Sequence, residues 1–499
     1  MRWLKFAQTK RRTDHMKLLP HPKNSALSFA LPLSIGLALV RPDAAHANVG
    51  EAFGFTSRTA ALAGATVAWG GEGSRAWTNP ASLAGDDTKR LRITWSVLGM
   101  QPNLLPIENI VIENEYVSDK ETTGSVDNDY RPTLGQSLGL EYIIAPSFGN
   151  LSFGVTTFLP LEQIAYMDSG ETFIPEYVLH RARTQRPQVE AALGWAPLRE
   201  FQVGAGAHLG FALTANASVF LQTDATKPST MRVSASMRPK VSPFFGVQYR
   251  SPDPVGPGES ALGPTFTAGS VIRLPLQSGV AMDLATGAQV FGSYAAVDLQ
   301  FKSLSTLYYD PLSVETGFAW RYSDRARILV QVDWQDWRGY QTPALEIQDP
   351  SAECQNDNPS TECGLALSGG DNPIPDMAAI LVPRFGHEWQ ASDKFALRIG
   401  YASRASIFKD IPNGAGNFLD PGRDIFTAGF GWNFDQFLNF EIPATLDFNL
   451  AYHSLRTQRI EKTEGDESGA GTGDIKVGAP GYRAGGNVFG GGLSLSLAF

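Results

Sequence analysis

The chain is poor in cysteine, histidine, positive charge and long apolar runs, and each shortage excludes something. Two cysteines among 499 residues rule out a disulfide-stapled scaffold. Cys354 and Cys363 share one polar stretch, with no histidine or further cysteine beside them, which argues against zinc. In an exported chain such a pair is expected to close a local disulfide. Seven histidines are scattered, and three of them, His15, His21 and His46, fall at the start of the chain. There is no His-Glu-x-x-His and no phosphate-binding glycine loop, so no metal and no cofactor is expected. Lys and Arg number 41 against 50 Asp and Glu, which argues against a nucleic-acid partner. The apolar run Ser25–Val40 is too short for a secure spanning helix.

That run follows a basic start and precedes Ala45-His46-Ala47, a small-x-small cleavage site. Residues 1–47 therefore read as an export signal, with Asn48 at the mature N-terminus and Met16 as an alternative start. Removing them takes away eight of the 41 basic and two of the 50 acidic residues, leaving 33 against 48 and a net charge of −15.

What is abundant is glycine, at 50 residues, and aromatic side chains, at 11%. This composition suits a bacterial β-barrel. The alternation agrees with it. Leu91, Ile93, Trp95 and Val97 interleave with Arg92, Thr94 and Ser96. Ile328, Val330, Val332 and Trp334 interleave with Arg327, Gln331, Asp333 and Gln335. Apolar residues on every second position give a lipid-facing surface, and Arg or Lys on that surface would cost about 2–4 kcal/mol at the midplane, so the bases should point inward. Short turns such as Pro146–Asn150 alternate with long polar loops. The expected fold is all-β, a transmembrane antiparallel β-barrel of about 14 strands over residues 89–499. Pro239 and Pro243 should interrupt the sixth strand, and 294–322 counts as one strand broken near Pro311. Counting the broken segments separately gives sixteen.

Residues 54–85 differ from everything after them. They are rich in Ala and Gly and close on Thr78-Asn79-Pro80-Ala81-Ser82-Leu83-Ala84. The segment is too polar to span lipid and too small to bury a core of its own, so it needs a container.

The Gly-Phe start, Ala60-Ala61-Leu62-Ala63-Gly64-Ala65 and Trp77-Thr78-Asn79-Pro80-Ala81-Ser82-Leu83-Ala84 together resemble the N-terminal hatch of the FadL family, outer-membrane transporters of long-chain fatty acids and other hydrophobic molecules, including TodX-like aromatic hydrocarbon channels. Val382–Trp389, Arg398–Tyr401 with Asn417–Asp420, and Leu307–Pro311 with Val314–Gly317 are similar to further family landmarks. The resemblance implies a hatch at 48–88, with Asn79, Pro80 and Ala81 at its closing turn, and passive uptake with sideways release near the third strand. The matching break here would be Gly154–Pro160. It also implies a capture groove in the loop after that strand, where Leu159, Leu161, Phe173, Ile174 and Tyr177 are apolar. Alternatively, that loop folds over the barrel and buries these residues itself. Ile174, Tyr177 and Val178 have helical spacing. The family's carboxylate-holding bases have no counterpart at 212–216 or 371–377. The ligand is then a neutral hydrophobic compound, or a fatty acid held by other lumen bases such as Arg321, Arg327, Arg384 or Arg398.

An enzymatic barrel of lipase or deacylase type is a second reading, resting on Gly135-Gln136-Ser137-Leu138-Gly139. A nucleophile elbow needs a strand, a sharp turn and a helix, whereas this string runs straight into an alternating strand. A general porin is a third reading, and would lack residues 54–85. The alternating end Leu493–Phe499 resembles the signal read by the barrel-assembly machinery. The expected setting is the outer membrane of a Gram-negative bacterium, among outer-membrane lipid and lipopolysaccharide, as a monomer.

Overall fold

The computed structural model describes residues 54–499 apart from 72, 86–89, 115–120, 127–129, 131, 162–174, 178, 181–185, 223–229, 253–263, 290–295, 341–375, 411–417, 438–440, 464–468 and 471–474. The signal segment, Phe173, Ile174, Cys354 and Cys363 thus lie outside the described residues.

Fourteen antiparallel strands close into a ring. They are β1 (Leu91–Leu104), β2 (Thr133–Ala145), β3 (Leu151–Pro160), β4 (Gln188–Trp195), β5 (Phe201–Gln222), β6 (Thr230–Arg250), β7 (Phe266–Arg273), β8 (Leu312–Ser323), β9 (Ala326–Asp336), β10 (Ala379–Gln390), β11 (Phe395–Arg404), β12 (Arg423–Phe434), β13 (Ala444–Glu461) and β14 (Gly481–Ala498). Each pairs with its neighbours in sequence. The ring closes where β1 meets β14, from Arg92 opposite Ala498 to Leu104 opposite Gly486.

Period-two alternation sets which side chains face out. On β9, Val330 and Val332 are 46% and 42% exposed, while Gln331 and Asp333 are 4% and 3% exposed. Lipid covers the first pair and the lumen encloses the second, because closure leaves no sheet edge and the apolar parity is the only surface that hydrocarbon tolerates. Phe395, Leu397, Ile399 and Tyr401 on β11 and Leu450 and Tyr452 on β13 continue the outward face.

Three expectations change. β6 runs unbroken through Pro239 and Pro243, opposite Phe211 and Ala207 of β5. Its other edge pairs with β7 only from Phe244 onward, so neither proline removes a hydrogen bond from a strand paired on both sides. Residues 294–322 hold two strands, not one. Ala296–Asp310 pairs with Leu276–Gln289, and only β8, after Pro311, joins the ring. That hairpin docks by a parallel pairing of 280–289 with 213–222 of β5, on the part of the strand beyond its pairing with β4. The third change concerns β3, where Gly154 to Phe158 are paired on both sides and Leu159 and Pro160 on the β2 side. It pairs with β2 from Gly135 opposite Pro160 to Ala145 opposite Leu151, and with β4 from Ser152 to Phe158.

Candidate functional site

Residues 54–85 fold into α1 (Ser57–Ala61), α2 (Arg75–Thr78) and a 3-10 turn (Pro80–Ala84). Their partners are inward residues of the ring. Ser57 N–H donates to Ser494 Oγ of β14 at 2.7 Å. Gly73 N–H donates to Glu141 Oε1 of β2 at 2.9 Å. Val67 N–H donates to Gln331 Oε1 of β9 at 2.9 Å. Thr427 of β12 donates to Ala61 O at 2.8 Å.

Asn79 is fully buried. Its Nδ2 donates to Val67 O at 2.9 Å and to Val247 O of β6 at 3.1 Å, and its Oδ1 accepts from Ala81 N–H at 3.0 Å. One side chain therefore joins the first half of the segment, its closing turn and the wall. Pro80 opens the 3-10 turn, where its missing N–H is no loss. The wall there is glycine. A Cβ on Gly204 would lie 2.3 Å from Pro80 C and 2.4 Å from Ala81 N. Gly154, read from sequence as a weak point in β3, has the same use: a Cβ there would lie 2.7 Å from Leu83 Cδ2.

The four lumen bases form part of this contact. Arg384 donates to Asp333 Oδ2 at 2.5 Å and to Ala63 O at 2.8 Å. Arg398 bridges Glu388 at 2.9 Å and Asp447 at 2.6 Å. Glu388 also receives Arg58, at 2.8 Å. Arg327 stacks on Trp69 with its Cζ 3.8 Å from the ring centroid and donates to Pro264 O at 2.8 Å. Arg321 donates to Thr265 Oγ1 at 3.4 Å. Parity along the strands identifies these arginines. Asp333 and Glu388 lie on the strand next to their arginine and Asp447 on the next strand but one, so strand pairing brings them together. Arg58 and Trp69 within residues 54–85 carried no separate signal.

Above this polar floor the lumen changes character. A buried apolar column runs from Phe55 and Trp77 past Leu98 and Met100 of β1 to Ile107, Tyr177 and Ile460 at the outer end. Tyr177 lies in a two-residue strand, Glu176–Tyr177, parallel to Phe418–Leu419, so the helical spacing does not produce a helix at that residue. Its hydroxyl accepts from Gly485 N–H at 2.8 Å and donates to Gly485 O at 3.1 Å. Burial pushes this phenol above its ordinary pKa, against the opposing Gly485 hydrogen bond. Leu179 enters a second apolar cluster with Trp337, Met377 and Phe408. Leu159 and Leu161 stay 39% and 49% exposed. The loop thus buries part of its apolar set and presents the rest.

Two cavities flank Gly64 and Arg384. One of about 50 Å³ is lined by the ionisable residues His208, Arg273, Asp310, Glu315 and Asp333 together with apolar ones such as Trp77 and Phe244. Arg273 lies against Trp77, its Cζ 5.1 Å from the ring centroid, and pairs with Glu315 at 2.8 Å. The other, about 30 Å³, is bounded by Ala60 and Ala63, by Leu98 and Met100, by Asn449 and His453, and by Gly99, Gly490 and Gly491 of the wall. Ser137, centre of the Gly-x-Ser-x-Gly string, is mid-strand in β2 opposite Ser96 and Phe158. No helix follows it, and the elbow geometry is absent there.

A fourteen-strand antiparallel ring with a small folded segment against its inner face is a β-barrel with the FadL-like fold. Within that class, the structure is similar to the crystal structure of a Pseudomonas aeruginosa FadL homologue, with a TM-score of 0.53 at 12% identity, covering 89% of this chain and 98% of that one. The Pseudomonas putida toluene transporter TodX is a fainter likeness, with a TM-score of 0.48 at 11% identity over 89% of this chain and 98% of that one. In sequence, the chain is 22% identical over 485 residues to Alkane uptake protein A of Marinobacter nauticus, covering 93% of this chain and 97% of that protein. No family model matches the chain.

Proposed function

We propose that this barrel is a passive uptake channel for hydrophobic compounds, of the alkane or fatty-acyl kind, captured at the outer loop and released sideways into the outer membrane. In this reading the exposed Leu161 belongs to the capture surface expected with Phe173 and Ile174, the buried Tyr177 ends the column beneath it, Leu159 stays on the lipid-facing parity of β3, and residues 54–85 act as the gate. The observation that carries this reading is the apolar column, which reaches from Tyr177 to Phe55 and Trp77 inside a lumen otherwise rich in paired charges. A route of apolar side chains lowers the cost of moving a hydrocarbon through an aqueous layer, at about 25 cal/mol per Å² removed from water. The named activity of the Marinobacter relative supports the ligand class.

Neutral ligands suit this lumen better than carboxylates. Arg384 and Arg398 already hold Asp333, Glu388 and Asp447. A fatty acid would compete with these buried pairs for its counter-ion. The wall beside the smaller cavity carries no side chain at Gly99, Gly490 or Gly491.

The test measures uptake of a long-chain alkane and a long-chain fatty acid by cells carrying the wild type, Asn79→Ala or a deletion of 54–85. Removing the Asn79 amide leaves Val67 O and Val247 O without their donor, at a cost of about 1–3 kcal/mol. Altered uptake with unchanged heat-modifiable migration on gels is expected. If no hydrophobic compound depends on the protein in any strain, the reading fails.

A further inference from the structure

At the loop end of β13 and β14 the outward face turns from aromatic to basic. Tyr452 lies opposite Phe489 with the ring centroids 5.2 Å apart, and Phe426 and Tyr401 continue the same row across β12 and β11. All four are exposed. Beyond them β13 carries Arg456 and Arg459 and β14 carries Arg483. A bulge between Leu455 and Gln458 aims Arg459 outward. Before it the buried residues are His453 and Leu455, whereas after it Ile460 is buried and the Arg459 side chain is 68% exposed. On β14, Tyr482 and Ala484 are buried, so Arg483 between them faces outward as well.

Arg459 and Arg483 sit directly opposite each other in the ladder. Opposed residues of an antiparallel pair have Cα atoms about 4.5–5.5 Å apart, and like charges so placed repel. Arg459 meets Glu461 at 3.3 Å, but both side chains are largely exposed and such a pair contributes little. Among the described residues no carboxylate pairs with Arg483. Arg456 beside them is held by Asp424 at 2.8 Å and donates to Ser403 Oγ at 2.6 Å. An anion shared by Arg459 and Arg483 turns their repulsion into attraction, and the guanidinium fork fits phosphate.

The rest of this face says which anion. The long connection 462–480 joins the two strands, while the opposite end carries short turns such as 146–150 and 391–394, and in transmembrane barrels the long loops lie outside the cell. From Phe489 to Arg483 is about 20 Å along the strand, or about 15 Å of height at a tilt of about 40°. The headgroup layer of a phospholipid bilayer is about 5–8 Å deep, too shallow to reach that level. A lipopolysaccharide, whose phosphorylated sugars stand above its acyl chains, meets the aromatic row and the arginines together.

We propose that Arg459 and Arg483, flanked by Arg456, form a binding site for the phosphorylated sugar head of lipopolysaccharide on the outer wall of β13 and β14. The assignment rests on the outer-membrane placement of the uptake reading above, not on what the channel carries.

Thermal unfolding of the full-length barrel tests it, in detergent with rising amounts of purified rough lipopolysaccharide or of the same lipopolysaccharide stripped of phosphate. The midpoint is expected to rise with the intact form only. In Arg459→Ala/Arg483→Ala the amount giving half the rise should increase about tenfold or more, and Arg459→Lys/Arg483→Lys should recover part of it. Arg232→Ala/Arg238→Ala removes the same charge from β6, on the parity of the buried Phe244 and Gln248, and should follow the wild-type curve. Without lipopolysaccharide the Arg459→Ala/Arg483→Ala variant should unfold no earlier than wild type, because a repulsion has been removed. The site is overturned by no response in wild type, by an equal response to the dephosphorylated form, by a wild-type response in Arg459→Ala/Arg483→Ala, or by an equal loss in the β6 variant. Earlier unfolding of Arg459→Ala/Arg483→Ala in detergent alone overturns it too, since the arginines would then be structural. Uptake is a separate readout, so a channel that imports nothing leaves this test intact.

Discussion

Glu388 on β10 receives Arg58 from α1 and Arg398 from β11 on the two oxygens of one carboxylate, at 2.8 and 2.9 Å. A single acid therefore ties residues 54–85 to the wall and braces the wall itself. Arg398 has Asp447 in reserve, whereas the other contacts of Arg58 are to backbone, such as Gly70 O.

Glu388→Gln is expected to loosen the inner segment more than the ring. Removing the charge leaves Arg58 buried without its counter-ion, a loss of about 3–5 kcal/mol for a buried pair. Planar-bilayer recordings should show more frequent openings than wild type, with normal heat-modifiable migration. Silent, wild-type traces would mean that Arg58 and Glu388 do not hold the segment.

Gly204→Val places a side chain where Pro80 C and Ala81 N now sit, within 2.4 Å of a new Cβ. The backbone of the 3-10 turn cannot yield as a side chain can, so the turn must leave its seat. Expected results are increased protease access to residues 54–85 and altered uptake in the same direction as Asn79→Ala. Equal protease protection in Gly204→Val and wild type would refute the close seating.

These positions show what a sequence can and cannot carry. Lipid-facing residues such as Val330 and Val332 were legible because their period of two is a local property. So was the inward direction of Arg384 and Arg398. Their partners were not, since Asp333 and Asp447 lie 51 and 49 residues away in the chain and become neighbours only when the strands pair. Gly154 was misread for a related reason. In one dimension a strand glycine signals weak pairing, and only the inner segment reveals it as room for Leu83. The 276–310 hairpin escaped because it alternates like a barrel strand yet lies outside the ring. The Asn79-Pro80-Ala81 turn was legible as a motif, and its hydrogen bonds to Val67 and Val247 give that motif a physical content.

Tyr177→Phe removes the acceptor of Gly485 N–H and leaves that buried donor unpaired, at about 1–3 kcal/mol. Hydrogen exchange at the outer end should rise while the ring stays protected. The wild-type phenol has a raised pKa when folded, so its contribution is complete below the ordinary value of about 10 and falls as pH climbs beyond it. Outer-end protection should therefore be flat through neutral pH and drop above about pH 10 in wild type. The Phe variant should lack that component of the drop. A wild-type loss already at pH 8 would rule out this phenol as its source.

Gly490→Leu and Gly491→Leu separate the cavity from the wall that bounds it. Gly490 shares its parity on β14 with Val488, Ser494 and Ser496, all buried, and a Cβ there meets Ala451 Cβ at 3.4 Å and Gly99 O at 3.5 Å, both ordinary contacts. A leucine grown from that point fills the cavity between Met100 and His453. Gly491 shares its parity with Phe489 and Leu493, which face lipid, so the same side chain there adds only to the outer surface. Overpacking an interior costs about 1–3 kcal/mol, which a closed ring of fourteen strands should absorb. If hydrocarbon passes this cavity on its way into the membrane, Gly490→Leu should cut alkane uptake about tenfold or more, while Gly491→Leu stays within about twofold of wild type. Both variants should migrate as folded barrels on unheated gels. Equal uptake by the two variants would move the exit away from β14 and return the question to the other seams of the ring.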